Sequence, residues 1–250
     1  GTKVTFETDA LYIDARFIGI AFDSNNNKIV IAYSSGGSYV GKAIVGTVDP
    51  SDNSISFGSA ATFNNASTSY VSATFDSSNN KVVIAYMDAG NSNYGTAIVA
   101  TVSGTSISFG SEAVFESATS SFVVITFDTS NNKAVIAYKD EGNSNRGTAI
   151  VGTVSGTSIS FGSAAVFETG ETSWMGITFD SNSNRAVIAY QDAGNSDYGT
   201  AIVGTVSGTS ISFGTAVVYE SAGTIYNIPV FDSNSNKIVI SYSDSGNGSY

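Results

Sequence analysis

The chain lacks several residue types on which common chemistry depends. It contains no cysteine, no histidine and only two prolines among 250 residues. Without cysteine there is no disulfide framework and no thiolate nucleophile. Without histidine the commonest general base and metal ligand is missing, and no Ser-His-Asp or Cys-His triad can be assembled. No apolar run reaches the roughly 18 residues that indicate a membrane span, so we predict none.

Charge is also scarce and mostly negative. Charged residues make up 12% of the chain, and 21 acidic against 10 basic residues give a net charge of −11. A nucleic-acid-binding protein needs a basic face that displaces phosphate counterions, so we predict that nucleic acid is not a partner. The hydrophobic fraction of 42% is too high for a disordered chain and fits a β-rich globular protein.

What the chain has instead is internal repetition. Phe-Asp pairs begin at Phe22, Phe75, Phe127, Phe179 and Phe231, which gives a period of 52 or 53 residues. A fixed period near 50 residues is typical of propellers and stacked arrays, whose units bury their apolar faces only against each other. We therefore predict one domain over residues 1–250, with repeats at about 1–63, 64–115, 116–167, 168–219 and a partial one at 220–250.

Each repeat predicts four short strands separated by turns. In the repeat at 116–167 the strands are expected at 122–127, 134–138, 148–154 and 158–161, the last resuming at 165–167. Asp, Asn, Ser and Gly fill the intervening turns, where they bond their own backbone or tolerate positive φ. The second strand is apolar on both faces, so other sheets must cover both sides of it. The sequence predicts an all-β five-bladed propeller of four-stranded antiparallel blades; a stacked β-solenoid is the alternative.

The two ends of the chain predict an incomplete blade. Residues 1–7 align with residues 110–116, which predicts the outer half of a fourth strand. The last repeat stops at Tyr250, where its third strand would begin. We expect one blade to be incomplete or shared between the termini. A longer parent chain or a second copy in a homo-oligomer would complete it, because open strand edges recruit partners.

The candidate ligand site lies at the end of the strands where the repeats differ. An aromatic residue precedes each Phe-Asp phenylalanine by five positions, and it would share that end with the Asp-x-Gly-Asn-Ser turns. Aromatic faces stack on sugars, and carboxylates and amides bond hydroxyls. The predicted ligand-binding residues are Phe17, Tyr70, Phe122, Trp174, Tyr226, Asp88, Asp140, Asp192, Asn91, Asn143 and Asn195. In the alternative interpretation the aromatics only cap the core and the aspartates only cap turns.

Metal and catalytic sites are not predicted. Asp23-x-Asn25-x-Asn27 resembles the start of a calcium loop but lacks its glycine at position six and its glutamate at position twelve. We interpret it as a hairpin turn and expect no cofactor; calcium is the one metal that the acidic, oxygen-rich composition allows. Glycoside hydrolysis needs two carboxylates close together, and the predicted inner strands carry none. The sequence therefore predicts a protein that is not an enzyme.

The run SNNKVVIAYMDAGNSNYGTAIVATVSGTSISFG, residues 78–110, resembles repeats in predicted structural and tail-fibre-like proteins of marine bacteriophages and in some bacterial surface proteins. The likeness extends through every copy, and it implies a virion-associated or extracellular location. The five-repeat architecture is similar to that of tachylectin-type lectins. From these features we predict a binding or adhesion module for a surface glycan or a partner protein. The alternative function is a purely structural assembly or decoration module.

Overall fold

A computed structural model describes residues 15–247, and these residues form an antiparallel all-β fold. The expected strand at residues 1–7 lies outside the described part. Eighteen strands are joined by turns, three of which contain a single 3-10 turn, and a fourth 3-10 turn follows the last strand. Within residues 15–247 no helix is long and apolar enough to cross a membrane. The all-β antiparallel prediction is confirmed.

Four kinds of strand recur in chain order. The strands that line the molecular centre are β1 (Ala15–Asp23) and, with their second halves, four longer strands, β5 (Ala61–Asp76), β9 (Ala113–Asp128), β13 (Ala165–Asp180) and β17 (Val217–Asp232). The second strands are β2 (Lys28–Ser35), β6 (Lys81–Asp88), β10 (Lys133–Asp140), β14 (Arg185–Asp192) and β18 (Lys237–Asp244). The third strands are β3 (Val40–Asp49), β7 (Tyr94–Ser103), β11 (Arg146–Ser155) and β15 (Tyr198–Ser207). The short fourth strands are β4 (Ser54–Phe57), β8 (Ser106–Phe109), β12 (Ser158–Phe161) and β16 (Ser210–Phe213).

Each long strand belongs to two successive sheets. The first part of β13 pairs with β11, as in Ala149 with Ala165, and its last part pairs with β14, as in Phe179 with Ala186. We name the sheets 1 to 5 in chain order; sheet 3, for example, contains the end of β9, then β10, β11, β12 and the start of β13. Sheets 1 to 4 have all four strands, whereas sheet 5 has only the end of β17 and β18 among the described residues.

The segments between repeats differ from the expectation. Residues 116–121, 168–173 and 220–225 lie between the predicted strands as connections from one repeat to the next, but in the structure these residues continue the long strands. Glu168 and Glu171 pair with Gly147 and Arg146 of the third strand, with register shifts between them. The chain thus passes from one sheet to the next in extended conformation, because local bulges bend the strand without ending its pairing.

The core lies between neighbouring sheets. Val83, Ile84, Val135 and Ile136 on the second strands are fully buried, which confirms that these strands are covered on both faces. Three clusters separate sheet 1 from 2, 2 from 3 and 3 from 4. Burying one such aliphatic side chain stabilises the fold by about 1.5–3 kcal/mol, so the sheet-to-sheet contacts hold the protein together.

A cavity of about 330 Å³ lies at the centre of the molecule. Residues from five strands, β1, β5, β9, β13 and β17, line it, so the first strands of all five sheets surround one space. The sheet series is not closed: among residues 15–247, β1 pairs only with β2 and β18 only with β17. The candidate functional site lies at one end of this central cavity.

Candidate functional site

Five aromatic residues at one end of the central strands have an unusual backbone conformation. Phe17, Tyr70, Phe122, Trp174 and Tyr226 all have left-handed φ values between 49° and 56°. Large L side chains rarely adopt this region, which costs of the order of 1 kcal/mol per residue. In every sheet the register shifts at this point, as between Ser173 and Gly176. The bulge turns the aromatic side chain out of the regular strand alternation, and the cost recurs five times.

The five rings form one continuous row. Successive ring centroids are 5.2, 5.2, 5.3 and 4.6 Å apart from Phe17 through Tyr226, in tilted or edge-to-face arrangements. Such geometry is attractive between aromatic rings. The exposed fraction is 42% for Phe17 and 59% for Tyr226, and the three rings between them are half-buried. The row therefore presents one shared apolar surface and leaves no room for five separate pockets.

This row stands at the mouth of the central cavity. Each aromatic residue directly precedes the residues that line it, as Trp174 precedes Met175, Gly176 and Ile177. The lining is mostly apolar, with Ser72 and Asn227 as its polar members. We call this end of the sheets the aromatic end.

Asn227 is fixed by its neighbours. Its amide nitrogen donates to the carbonyl oxygen of Trp174 at 3.0 Å, and its amide oxygen accepts from the hydroxyl of Tyr219 at 2.7 Å. Burial, above all, raises the pKa of Tyr219 to about 12. Because this hydroxyl keeps its proton, it remains a donor to Asn227 at neutral pH. The bonds hold Trp174 to the next strand around the cavity.

A charged group of residues adjoins the aromatic row in sheet 3. The Lys139 ammonium lies 2.5 Å from a carboxylate oxygen of Glu171 and 5.9 Å from the centre of the Phe122 ring. The Glu171 side chain is 46% exposed, whereas that of Lys139 is only 11% exposed. The hydroxyl of Ser121 donates to Glu141 at 2.6 Å. We call Lys139, Glu141 and Glu171 the charged sector.

The charged sector is peculiar to sheet 3. In the other repeats the position equivalent to Lys139 is occupied by Ser34, Met87, Gln191 and Ser243. The positions equivalent to Glu171 are occupied by Ser67, Thr119 and Gly223. The positions equivalent to Glu141 are occupied by Ala89, Ala193 and Ser245. Sequence reasoning missed this sector, although departure from the repeat pattern could have revealed it. The aromatic end is thus uneven around the cavity, with polar groups concentrated beside Phe122.

The sector also influences a neighbouring phenol. Burial, with a smaller contribution from the negative charge of Glu141, raises the pKa of Tyr70. Tyr70 precedes Phe122 in the aromatic row. Its hydroxyl therefore stays protonated near neutral pH and can donate a hydrogen bond beside the exposed carboxylates.

The predicted aspartates lie below the exposed surface of the aromatic end. Asp88, Asp140 and Asp192 are 5%, 7% and 8% exposed and precede the 3-10 turns Ala89–Asn91, Glu141–Asn143 and Ala193–Asn195. Asp88 accepts from the backbone of Gly90 and from the amide of Asn64, both at 2.9 Å. Burial raises the pKa of Asp140 and, with a contribution from Glu168, that of Asp192. Their geometry is that of turn-supporting groups.

The predicted asparagines differ from one another. Asn91 and Asn195 are exposed at the rim, and Asn143 is half-buried. Asn143 accepts a hydrogen bond at 3.3 Å from Arg146. Thus the structure brings the five aromatics together in one row, but it places the aspartates and asparagines in separate turns around it.

The opposite end of the sheets, which we call the constant end, is built from local turns. Asp76 and Asp128 each accept two backbone and two side-chain hydrogen bonds of 2.6–3.0 Å from the Ser and Asn that follow. Asp23 makes three similar bonds to Asn25 and Asn26. Across residues 15–247 no group of three or more acidic side chains is arranged to hold a metal ion. These carboxylates stabilise hairpin turns.

Comparison with known proteins gives a fold likeness. No protein-family model and no curated protein matches the chain. The exo-β-1,3-galactanase of Phanerochaete chrysosporium, solved with β-1,3-galactotriose, superposes with a TM-score of 0.60 at 9% identity over 99% of this chain and 64% of that one. The NanB sialidase of Streptococcus pneumoniae gives 0.59 at 14% identity over 93% of this chain and 39% of that one. The chain thus spans less than two thirds of either enzyme, and the architecture is propeller-like.

The comparison contradicts the prediction that the protein is not an enzyme, because the galactanase and the sialidase that share its fold are both enzymes. The prediction relied on missing histidine and cysteine and on inner strands without carboxylates. Glycoside hydrolysis, however, needs only two carboxylic side chains near the sugar. Glu141 and Glu171 lie at the rim beside Phe122, on turns and connecting strand that the sequence argument did not consider.

Proposed function

We propose that the chain forms a five-bladed propeller whose aromatic end binds a carbohydrate. Five first strands around one cavity support the five-blade count. Four complete sheets and a fifth two-stranded sheet follow each other in chain order, as blades do. The opening between sheet 1 and sheet 5 is then the seam of the ring.

The observation that carries the carbohydrate proposal is the row of five aromatic rings in left-handed conformation. Backbone strain persists only where surrounding structure enforces it, and it clusters at ligand sites. Aromatic residues that only covered the end of the core would not need this strained backbone, because an ordinary strand residue can fill the same space without the bulge. The rings leave an apolar face partly open to solvent, which suits the C–H face of a sugar ring.

The charged sector supplies the polar half of the site. A sugar lying on Phe122 and Trp174 has hydroxyls at its edge, where Lys139 can donate and Glu171 can accept. Glu171 is the more exposed partner of the pair, so it is free to reorient when a hydroxyl enters. Vicinal hydroxyls would satisfy both ions at once. The ligand class is therefore a neutral sugar with a vicinal diol.

One composite site fits this geometry better than five equal ones. The rings touch in a continuous row, and the charged sector adjoins only part of it. A ligand would therefore bind in one orientation, with 1:1 stoichiometry and no gain from multivalency.

A glycan array tests the proposal. The native protein should bind a defined set of neutral glycans, and Trp174→Ala and Tyr70→Ala should each lower affinity at least tenfold, since stacking is lost. Tyr198→Ala, which removes a half-buried tyrosine that is not one of the five rings of the row, is the matched control. Absence of binding by the folded native protein, or equal effects of all three variants, would sink the proposal. Glycans that bind are then assayed for hydrolysis with and without Glu171→Gln.

A second candidate function is assembly into a larger structure. The observation that favours it is the open seam, where Ile18, Ile20 and Phe22 of β1 are 55%, 62% and 56% exposed. A virion-associated or extracellular location stays a proposal that rests on the repeat resemblance. Light scattering over a range of concentrations tests assembly, and a monomer at every concentration would contradict it.

A further inference from the structure

The wall of the central cavity is made largely of strand edges. β1 and the second halves of β5, β9, β13 and β17 each pair with the second strand of their own sheet. Among residues 15–247 no strand pairs with the other edge of these segments, which lies beside the cavity. A free strand edge presents unpaired N–H and C=O groups. The wall therefore offers hydrogen-bond donors and acceptors as well as aliphatic side chains.

Two hydrogen bonds show that groups of this edge turn away from the second strand. The N–H of Ile125 donates at 3.2 Å to the hydroxyl oxygen of Ser72 on the adjacent first strand, and the carbonyl oxygen of Trp174 accepts from Asn227. In an antiparallel pair only alternate residues direct their backbone groups at the partner strand. Pro229 occupies the position of Ile125 in β17, and proline fits there because no ladder bond needs its missing N–H. The other first strands have Ile20, Ala73 and Ile177 at this position.

The chemistry of the lining selects an uncharged, hydroxylated occupant. Among the described residues, none that lines the cavity carries a charge, so an ion there would lose its hydration without gaining a partner. A hydrocarbon would leave the edge N–H and C=O groups without hydrogen bonds. A hydroxyl both donates and accepts, and the C–H faces of a sugar suit the valine and isoleucine side chains of the lining.

The cavity has the dimensions of one sugar residue. Its volume of about 330 Å³ lies at the lower end of the range of roughly 300–1,000 Å³ that small-molecule sites have. The lining comes from the three residues that follow each aromatic of the row, and three strand residues span only about 7 Å. Among the described residues, the Phe-Asp pairs further along these strands do not line it. The cavity thus lies in the half of the strands nearer to the aromatic end.

We propose that the central cavity holds the sugar residue at the non-reducing end of the glycan, while the aromatic row holds the residues that follow it. The proposal rests on the carbohydrate-binding function, because it concerns the same glycan. Surface glycans are attached through their reducing ends, so the non-reducing residue is the one that is free to enter. The protein then distinguishes the end of a glycan chain from an internal segment.

A capped glycan tests this proposal on the native protein. Titration calorimetry compares a glycan that binds on the array with the same glycan carrying a dansyl group on its non-reducing residue. The cavity has no room for the dansyl group beside the sugar, so the capped glycan should bind at least about tenfold more weakly. Equal affinity for the two glycans would overturn the proposal and leave carbohydrate binding on the aromatic row intact. If no glycan on the array binds, the carbohydrate-binding function itself fails.

A substitution within the lining gives the complementary test. Ser72→Ile removes a hydroxyl and narrows the cavity, and Ile228 at the same position of β17 shows that the strand accepts isoleucine. Affinity for the uncapped glycan should fall at least about tenfold, and the preference over the capped glycan should disappear. Ser108→Ile, at an exposed position of β8 outside the lining, is the matched control and should bind as the native protein does. Native affinity in folded Ser72→Ile would mean that the cavity holds only water, and would overturn the proposal.

Discussion

The constant end and the aromatic end of the sheets stabilise their polar groups in different ways. At the constant end a carboxylate such as that of Asp128 bonds residues two and three positions further along the chain. At the aromatic end the bonds join neighbouring sheets: Tyr138 of sheet 3 donates at 3.0 Å to Glu116, which still pairs with sheet 2. Asn64 and Asp88 join sheets 1 and 2 similarly. Local bonds repeat with the sequence, whereas bonds between sheets depend on assembly.

The difference teaches where function can change without loss of fold. The turns of the constant end are similar in every repeat, because each must close its own hairpin. The aromatic end varies in its row of rings, in the charged sector and in the side chains that face the cavity. Substitutions at that end can therefore change binding without altering the local turns. The following predictions test this division, from the largest expected effect to the smallest.

Alkaline pH should weaken the bonds between sheets most. Burial, together with the charges of nearby carboxylates, raises the pKa of Tyr86, Tyr138 and Tyr190 well above 10. A raised folded-state pKa gives stability that is complete below pH 10 and is lost as pH rises beyond it. Each tyrosine should then cost up to about 1.4 kcal/mol per pH unit. Chemical denaturation from pH 8 to 11.5 measures the slope, and Tyr138→Phe should reduce it by up to about 1.4 kcal/mol per pH unit; an unchanged slope would contradict the account.

Removal of one carboxylate from the constant end should have the next largest effect on stability. Asp128 is 1% exposed and accepts four hydrogen bonds, so Asp128→Ala should lower the free energy of unfolding by about 2–3 kcal/mol. Asp180→Ala, at the same position of a more exposed turn, should cost less. Neither variant should alter glycan affinity. A binding defect in either one would break the division between the two ends.

Exchange of the charged sector for residues of the neighbouring repeat should affect ligand binding and spare the fold. Lys139→Met with Glu171→Thr installs the residues of positions 87 and 119. Because methionine keeps the aliphatic contacts of the largely buried Lys139 side chain and Glu171 is 46% exposed, stability should change by less than about 1 kcal/mol. Affinity for the glycan should fall about fivefold by titration calorimetry. Lys133→Met at the constant end is the control, and equal losses in both variants would count against the sector.

The smallest predicted effect is a change in Tm that has opposite signs for two Asp→Asn variants. Burial raises the pKa of Asp140, so its ionisation opposes folding, and Asp140→Asn should raise Tm at pH 7. That gain should shrink as pH falls and the native carboxyl becomes protonated. For Asp180 desolvation is outweighed by hydrogen bonds from Ser183 and Asn182, and its pKa is lowered. Asp180→Asn should therefore lower Tm at pH 7, and this loss should shrink as pH falls and the native carboxyl becomes protonated. Shifts of the same sign would show that the two ends do not differ in this way.

The sequence predicted what depends on local pattern. The strand at 134–138, apolar on both faces, and the Asp-Ser-Asn turns are set by neighbouring residues, and the structure has both. The continuous strand through Glu168 and Glu171 was missed, since its pairing partners lie some 20 residues earlier. The pairing of Lys139 with Glu171 was missed for the same reason: only the bulged crossing between sheets brings them together. The five aromatics were found because they recur at a fixed interval.

The central claim is that ligand binds on the aromatic row, and Trp174 is the only tryptophan in the chain. Its fluorescence therefore reports on that row alone. Titration of the native protein with an array-positive glycan should give a saturable change in the intensity or wavelength of its emission, with the same Kd as calorimetry. Binding seen by calorimetry with tryptophan emission unchanged throughout would place the ligand elsewhere and contradict the claim.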